Sequence, residues 1–396
     1  MKLCCLGKLP HFFIGMPLAC LTRFICVIFH RRNQINILAD SNNSFLLEAT
    51  KKRVHFYLHE FLMYQNAKII ILNKLTIKQF LSLNPILLLN YNAKKPWYAR
   101  YCKNIYRIND EIDASACDSW HIVSNDYQRK KFSQKEEFNK FNDVVKKLQK
   151  SKRKEKVYLI GTGPSATSAI SRDWSDGYVF SCNTIVKDKK LFDHIHPDII
   201  VGNDPIYHFG NSSFAQAYQK DVYRRMKENP DLFFIYPAIY YSICNRIFAD
   251  FKDRLIGIPH NTLKKDVSIS LLEDFSYPCY RNALIHQLLP LACTFSKNIF
   301  LWGFDGRAPS DQLFWNNAEP ITYSEYLPEL IRDNPAFFNQ NVPKEDPGQY
   351  SRMQNDMLTE VLQIAEAHNF HFTMMHKSWT PILQAHFNPS MKGVQN

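Results

Sequence analysis

The sequence predicts an α/β fold built on a mostly parallel β-sheet with helices on both faces. Strand-like apolar runs recur after residue 156, and helical stretches lie between several of them. The seven runs are KVYLIG, YVFSCN, PDIIVGN, LFFIYP, RLIGIP, NIFLWGFD and FHFTMMH. Near-continuous apolar strands that alternate with helices are typical of a parallel sheet that is buried on both faces.

Two of the segments between these runs predict helices that pack against the sheet. RNALIHQLLPLACTF is apolar nearly all round, as expected of a buried crossover helix. SRMQNDMLTEVLQIAEAHN places Met353, Met357, Val361 and Ala365 on one stripe, and Asn369 suits its C-terminal end.

The N-terminal third predicts a small α/β domain over residues 34–125, with no motif that carries chemistry. The runs INILAD, VHFYL, KIIILN and PILLLNY are β-like, and residues 45–52 and 75–83 have helical patterns. Residues 1–33 are apolar but contain no uncharged run of 18 residues, so we expect no membrane-spanning helix there. They predict either an interfacial membrane segment or a buried helix of the N-terminal domain.

The charge of the chain favours an acidic partner. The formal net charge is +12, and the stretch from Arg129 to Lys156 holds 12 Lys and Arg against 4 Asp and Glu. We interpret residues 126–155 as a basic helical linker that joins two domains, and as an alternative as a surface attracted to anionic lipid; nucleic acid is not expected. Ten cysteines without a C-x-x-C pair argue against a zinc ribbon or a disulfide framework and suit a reducing compartment.

Polar residues follow four of the predicted strands. In open parallel sheets ligands bind beyond the carboxyl ends of the strands, so these residues predict one site. Glycines allow backbone N–H groups to approach an anion, a serine caps the following helix, and an aspartate on a tight turn accepts bonds from ribose hydroxyls. A plain tight turn is the alternative for each motif taken alone. The candidate binding residues are Gly161, Thr162, Gly163, Ser165, Asn183, Asp204, Gly303 and Asp305.

The series LIGTGPS, FSCN, VGNDP and RNALIHQLLPLACTFSKNIFLWGFDGR resembles the bacterial sialyltransferases of glycosyltransferase family 42. It is also similar to the related motility-associated-factor glycosyltransferases. The resemblance covers about residues 156–387. It implies a Rossmann-like domain over residues 156–396 with a lid at about residues 307–346. It further implies a donor in which cytidine monophosphate (CMP) carries a sialic or other nonulosonic acid, with neither cofactor nor metal.

The resemblance also implies roles for single residues. The strand-end set would contact the nucleotide, with Asn183, Gly303 and Asp305 at matching positions and Thr162 and Asp204 where the family has asparagine. Arg281 occupies the place of an arginine on the phosphate side. The predicted lid supplies Trp315, Tyr323 and Tyr326, and family lids use tyrosines to donate to the leaving phosphate.

The chain departs from the family at the catalytic base. The family has a histidine just after the lid, whereas this chain reads KEDPGQYSRMQND there, without a histidine. Tyrosine needs a strongly perturbed pKa to act as a base near neutrality. His208 is the replacement candidate and His260 a weaker one. An ordinary loop histidine is the alternative for His208; the base would then be Tyr350, water, or a carboxylate such as Asp204 or Asp346.

We therefore expect a metal-independent glycosyltransferase that moves a CMP-activated sialic acid to a hydroxyl of a cell-surface glycan or glycolipid. The protein would be cytoplasmic, associated with the inner face of the cell membrane, and a homo-oligomer is an open option. The alternatives are a pterin diphosphokinase-like enzyme, which would need magnesium, and a glycosyltransferase-like protein that binds a nucleotide without catalysis.

Overall fold

A computed structural model of the chain describes residues 132–151, 154–261, 268–278, 282–308, 319–334, 338 and 348–391, together with short stretches of the N-terminal part. Those stretches are residues 34–39, 52–53, 55–57, 68–72, 86–89 and 105–108. The chain divides into two units, residues 1–127 with 333–338 and residues 128–332 with 339–396. No helix in the described ranges is long and apolar enough to cross a membrane. The predicted interfacial segment 1–33 lies outside these ranges.

The first unit contains a four-stranded parallel sheet in the order β2-β1-β3-β4. Its strands are β1 (Gln34–Ala39), β2 (Lys68–Leu72), β3 (Ile86–Leu89) and β4 (Ile105–Ile108). Three of them coincide with predicted runs. The run VHFYL was expected as a strand, but residues 55–57 are helical, and β4 was missed. The predicted helices at 45–52 and 75–83 lie almost wholly outside the described ranges.

The second unit is built on a seven-stranded, entirely parallel sheet in the order β13-β12-β5-β6-β7-β8-β9. Its strands are β5 (Lys156–Ile160), β6 (Tyr178–Cys182), β7 (Ile199–Val201), β8 (Phe233–Pro237), β9 (Leu255–Ile258), β12 (Asn298–Trp302) and β13 (His371–Met374). A separate two-stranded pair joins β10 (His260–Asn261) to β11 (Tyr277–Pro278). All seven strands come from the predicted runs, so the α/β prediction is confirmed.

Helices and short 3₁₀ segments connect these strands. The helices are α1 (Gln134–Ser151), α2 (Lys189–Ile195), α3 (Ser213–Glu228), α4 (Tyr241–Ile247), α5 (Leu289–Phe295), α6 (Leu327–Asp333), α7 (Gln349–Ala367) and α8 (Pro381–Ala385). The 3₁₀ segments are Pro164–Ser171, Asn183–Lys187, Ala238–Tyr240, Ala249–Arg254, Glu319–Ile321, Ser324–Tyr326 and Pro389–Met391. A π-helical turn, Leu284–Leu288, precedes α5. The two segments together form the buried crossover that the sequence predicted.

The basic segment is a layer of the second unit rather than a linker. Helix α1 packs against β9 and buries Phe141, Val145 and Leu148 in the core around the sheet. Its Glu137 is 2% exposed and accepts the N–H of Gly257 in β9 at 2.6 Å. The apolar stripe of this helix therefore forms part of the core of the second unit.

Helix α7 buries Val361 and Ala365 of the predicted stripe and packs Met357 against the core, but it leaves Met353 exposed. Its buried side chains include Leu358, Val361 and Leu362, whereas Met353 is 39% exposed. The predicted stripe advances in steps of four residues, and each such step turns about 40° past a full helical turn. A face that stays on the core mixes steps of three and four. Asn369, in the left-handed region at φ 62°, follows the helix as predicted.

Candidate functional site

The carboxyl ends of β12, β5, β6 and β7 open into a cleft of about 660 Å³. These four strands are neighbours in the sheet, so the residues that follow them share one region of the cleft wall. The N-terminal half of α7 and residues 379–383 supply further wall. Of the predicted strand-end residues, Gly161 and Ser165 do not line the cleft, whereas six others do: Thr162, Gly163, Asn183, Asp204, Gly303 and Asp305.

The glycines after β5 bring two turns together rather than present N–H groups to an anion. Gly161 donates its N–H to the carbonyl of Trp302 at 2.7 Å, and Gly163 donates to the carbonyl of Gly303 at 2.8 Å. A Cβ on Gly163 would lie 2.1 Å from Oδ2 of Asp305. Because each backbone N–H carries one proton, neither amide is left to cradle a phosphate. The anion-binding role expected of Gly161 and Gly163 is therefore corrected.

Ser165 does not cap the following segment, which also differs from the expectation. Gly163 occupies the cap position of the 3₁₀ segment and makes no side-chain cap bond. The carboxylate of Asp305 instead accepts the N–H of Ser165 at 3.2 Å and its hydroxyl at 2.9 Å. The group that accepts the hydrogen bonds of this turn is thus a side chain of the protein and not a bound anion. A carboxylate has about four acceptor positions, so Asp305, which lines the cleft, keeps capacity for a ligand hydroxyl.

His376 completes this cluster and was missed from the sequence. Its Nε2 accepts the N–H of Gly303 at 2.8 Å and lies 2.8 Å from the hydroxyl of Ser165. Its Nδ1 lies 2.7 Å from the carbonyl of Lys377, so Nδ1 carries the proton. A serine nucleophile needs a histidine that is oriented by the carboxylate. Here the carboxylate of Asp305 accepts hydrogen bonds from Ser165 instead. The three side chains therefore connect the turns that follow β5, β12 and β13. His376 directly follows the run FHFTMM, a strand-end position that could have identified it.

Three side chains of the cleft wall carry buried polar atoms without a hydrogen-bond partner among the described residues. They are Oδ1 of Asn183, Oγ1 of Thr184 and both amide atoms of Gln354. Asn183 has φ 53°, a conformation that asparagine tolerates better than most residues. Gln354 is 8% exposed and projects from α7. More than 90% of buried polar groups in native proteins are hydrogen-bonded, so these exceptions mark the cleft as the candidate ligand site.

The turn after β7 places Asp204 in the cleft wall, and His208, which is 4% exposed, also borders the cleft. Oδ1 of Asp204 accepts the N–H groups of Ile206 at 2.7 Å and Tyr207 at 3.0 Å. Nδ1 of His208 accepts the N–H groups of Asn203 at 3.1 Å and Asp204 at 2.9 Å. Burial raises the pKa of Asp204 to about 6 and lowers the pKa of His208 to about 3. Nδ1 of His208 is therefore not available to take a substrate proton.

The predicted lid is described only in part. Arg281 and Trp315 lie outside the described residues, as does the side chain of Tyr350. Tyr323 is 2% exposed, donates to Oδ2 of Asp221 at 2.7 Å, and does not line the cleft. Burial, with the charge of Asp221, raises the pKa of its phenol. In this structure Tyr323 therefore cannot donate to a leaving phosphate in the cleft.

The weaker base candidate, His260, lies outside the cleft. Its Nε2 is 2.7 Å from Nε2 of His286, and burial lowers its pKa to about 4. Cys182 does line the cleft, but burial raises the pKa of its thiol to about 12, so it is no nucleophile near neutral pH. Within the described part of the chain no group of three or more His, Cys, Asp or Glu side chains could hold a metal ion.

Comparison with known proteins does not assign the chain to a family. No protein-family model matches the chain, and no curated protein matches it. Among solved structures, a candidate phosphosugar isomerase from Silicibacter pomeroyi is 7% identical with a TM-score of 0.18, covering 57% of this chain and 81% of that one. An NAD-dependent formate dehydrogenase from Staphylococcus aureus in complex with NAD is 11% identical with a TM-score of 0.17, covering 58% and 88%. Similarity at this level carries no argument about function.

Proposed function

We propose that the cleft binds a nucleotide-activated sugar and that the protein is a glycosyltransferase. The donor would be a sialic or other nonulosonic acid activated by CMP, and the acceptor a hydroxyl of a cell-surface glycan or glycolipid. The observation that carries the proposal is the set of buried polar atoms without a hydrogen-bond partner on Asn183, Thr184 and Gln354. These residues line one cleft at the carboxyl ends of parallel strands, where open α/β sheets bind ligands. The resemblance of the strand-end motifs supplies the donor class.

The dimensions of the cleft and its two arginines support a ligand of this kind, although Asp204, Asp305 and Asp356 also line it. Its volume of about 660 Å³ falls within the range of about 300–1,000 Å³ usual for small-molecule sites. Arg307 and Arg352 line it, and arginine is suited to planar, bidentate contacts with phosphate and carboxylate. A CMP-linked sialic acid carries both groups. With the N–H groups of the glycine turn occupied, these two arginines are the better candidates to receive the phosphate.

CMP should raise the thermal stability of the wild-type protein more than uridine or guanosine nucleotides do, by mass action on the folded state. Replacing Gln354 by leucine should weaken CMP binding about tenfold or more, since a tenfold change needs only about 1.4 kcal/mol. The stability of the unliganded protein should be unchanged or higher, because an unpartnered buried amide is replaced by an apolar group of similar size. Thermal shift titrations measure both quantities.

Gln219→Leu is the matched control for this substitution. Gln219 is also buried, at 7% exposed, but its amide donates to the carbonyls of His208 at 2.9 Å and Gly210 at 3.0 Å. Its replacement should therefore destabilise the unliganded protein. If Gln354→Leu destabilises as much and leaves the CMP titration unchanged, the amide serves the fold and not a ligand. If uridine diphosphate stabilises best, the donor class is wrong.

A non-catalytic protein that binds a nucleotide is the second candidate. The observation that favours it is the missing family histidine, together with a His208 whose Nδ1 is already occupied. Release of CMP from CMP-N-acetylneuraminic acid in the absence of an acceptor separates the two candidates, since only a catalyst accelerates it.

We further propose that the acceptor is met at an anionic membrane surface. Exposed basic residues of α1, among them Lys135, Lys146 and Lys150, support it. Part of the charge of this helix is neutralised within the protein, since Lys147 binds Asp231 at 2.8 Å. The protein should co-sediment with anionic vesicles at low salt and be released at about 0.5 M salt, where the screening length is only a few ångströms. Equal sedimentation with neutral vesicles would contradict an electrostatic contact.

A further inference from the structure

We propose that Asp204 is the catalytic base of this site and that His208 is a positioning residue that holds the Asp204 turn. The inference rests on the proposed function, because it concerns the proton of the acceptor hydroxyl in glycosyl transfer. It supplies the base that the chain lacks at the position where the related enzymes carry histidine.

The turn binds one carboxylate oxygen of Asp204 and leaves the other without a hydrogen bond from the described residues. Oδ1 of Asp204 accepts two backbone N–H groups of its own turn, from Ile206 and Tyr207. Oδ2 accepts no hydrogen bond from any described residue, and Asp204 lines the cleft. A base needs an acceptor atom that points at substrate and a support that holds it in place. The turn supplies the support for Asp204, and Oδ2 is the acceptor atom that the turn leaves unused.

His208 provides a second anchor for the same turn. Its Nδ1 accepts the N–H groups of Asn203 and Asp204, so Nε2 carries the proton in the neutral ring. The ring is 4% exposed and packs on Tyr218 with centroids 4.3 Å apart. A proton on Nδ1 would break both N–H bonds. His208 therefore holds the turn of Asp204, and its Nδ1 does not take the proton of the acceptor.

The ionisation of Asp204 suits this task. Burial raises the pKa of Asp204 to about 6, against the opposing effect of the two N–H bonds from Tyr207 and Ile206, and no charged side chain contributes to the shift. A general base works best with a pKa near the operating pH. The other titratable or charged groups of the turn and of the cleft wall are Cys182, Tyr207, His208, Asp305, Arg307, Arg352 and Asp356.

The step balances without a further reactant. The acceptor oxygen forms a bond to the anomeric carbon of the donor sugar, and the bond from that carbon to the phosphate oxygen breaks. The electron pair of the broken bond leaves with CMP. The proton of the acceptor hydroxyl passes to Oδ2 of Asp204 and from there to water.

The test uses the full-length chain, CMP-N-acetylneuraminic acid as donor, water as acceptor and release of CMP as readout. Asp204→Asn should lower turnover by about a hundredfold or more, the usual effect of losing a general base. The rise of the wild-type rate with pH through about 6 should disappear in the variant. CMP binding should persist, because the asparagine oxygen can still accept the N–H groups of Ile206 and Tyr207. Asp193→Asn, at an exposed position on α2, is the matched control and should leave the rate unchanged.

A second variant protects the test from a local loss of structure. In Asp204→Ala, azide should restore release of CMP and form the glycosyl azide, because azide is a nucleophile with no proton to remove. His208→Gln should lower the rate but keep the rise through about pH 6, since an amide oxygen can accept both N–H groups. His208→Leu should be more impaired than His208→Gln.

The outcomes separate the two proposals. If the wild-type protein neither binds CMP nor releases it from the donor, the proposed function fails and the role of Asp204 fails with it. If the wild type is active and Asp204→Asn keeps its rate and its pH profile, the function stands and the base is another group. If His208→Gln removes the rise near pH 6 while Asp204→Asn retains it, the roles of the two residues are reversed.

Discussion

Replacing Gly303 by alanine is expected to lower the free energy of unfolding by about 3 kcal/mol or more, the range of substitutions that force a clash in a packed region. Gly303 has φ +78°, where an L-residue costs roughly 1–2 kcal/mol. A Cβ there would lie 2.6 Å from the carbonyl oxygen and 2.8 Å from the carbonyl carbon of Gly161. These are backbone atoms at the end of a central strand, so no rotamer change relieves the clash. Denaturant unfolding measures the loss.

The same substitution should also disturb the cleft. The carbonyl of Gly303 accepts the N–H of Gly163, and its own N–H binds Nε2 of His376. Both bonds hold the turn that carries Asp305. Binding of CMP by Gly303→Ala should therefore weaken even where the protein remains folded.

Gly257→Ala is the matched control for Gly303→Ala. Gly257 lies in β9, has no positive φ, and its added Cβ would meet its nearest neighbour, Cα of Ala238, at an ordinary 3.4 Å. Its effect should stay within about 0.5 kcal/mol, as for substitutions without a strained or clashing feature. Equal losses for the two variants would show that the Gly161–Gly303 contact is not what makes Gly303 necessary.

The sheet of the second unit could be predicted from the sequence because each strand has its own apolar run. The run at Ile199–Val201, for example, is buried on both sides, and neighbouring runs show the same pattern. In the first unit the pattern is weaker. Residues 55–57 within VHFYL are helical although β-branched and aromatic residues favoured a strand. A short apolar run does not distinguish the two by itself.

The location of the candidate site could also be predicted from the sequence, but not which of its side chains form hydrogen bonds with one another. The turn after β5 shows glycine and serine, which suit an anion, and nothing local reveals that its anion is Asp305. Ser165 and Asp305 are 140 positions apart in the chain. The carboxylate becomes the partner only because β12 pairs with β5 in the sheet. His376 was missed for the same reason, since its partners Gly303 and Ser165 lie far away in sequence.

The proposed change of base from His208 to Asp204 depends on burial, which residue type does not show. Histidine has an ordinary pKa near 6.5 and aspartate near 3.9, which favoured His208. Burial reverses that order by lowering the pKa of His208 to about 3 and raising that of Asp204 to about 6. Desolvation always disfavours the charged form, so it moves an acid and a base in opposite directions.

His208 is expected to lower the free energy of unfolding of the wild type strongly as the pH falls, and His208→Gln should remove this effect. The pKa of His208 is about 3 in the folded protein and about 6.5 when unfolded, so the unfolded state binds more protons between these values. Its contribution is present above about pH 6.5 and is lost as the pH falls toward 3. Between pH 7 and pH 4 this amounts to on the order of 3 kcal/mol. Urea unfolding of wild type and variant at both pH values measures it.

The ionisation of Asp204 changes the stability with pH in the opposite direction, which allows a second, independent test. Its pKa of about 6 in the folded protein lies above its ordinary value, so its contribution grows as the pH falls through 6 and is complete below about 3.9. Wild-type stability should therefore change less between pH 7 and pH 4 than His208 alone would dictate. Asp204→Asn should expose the full loss due to His208, and His208→Gln should become relatively more stable in acid. His371→Gln, at an exposed position of β13, should follow the wild type. Identical pH dependence in all four proteins would mean that the two side chains are not desolvated in solution as they are in this structure.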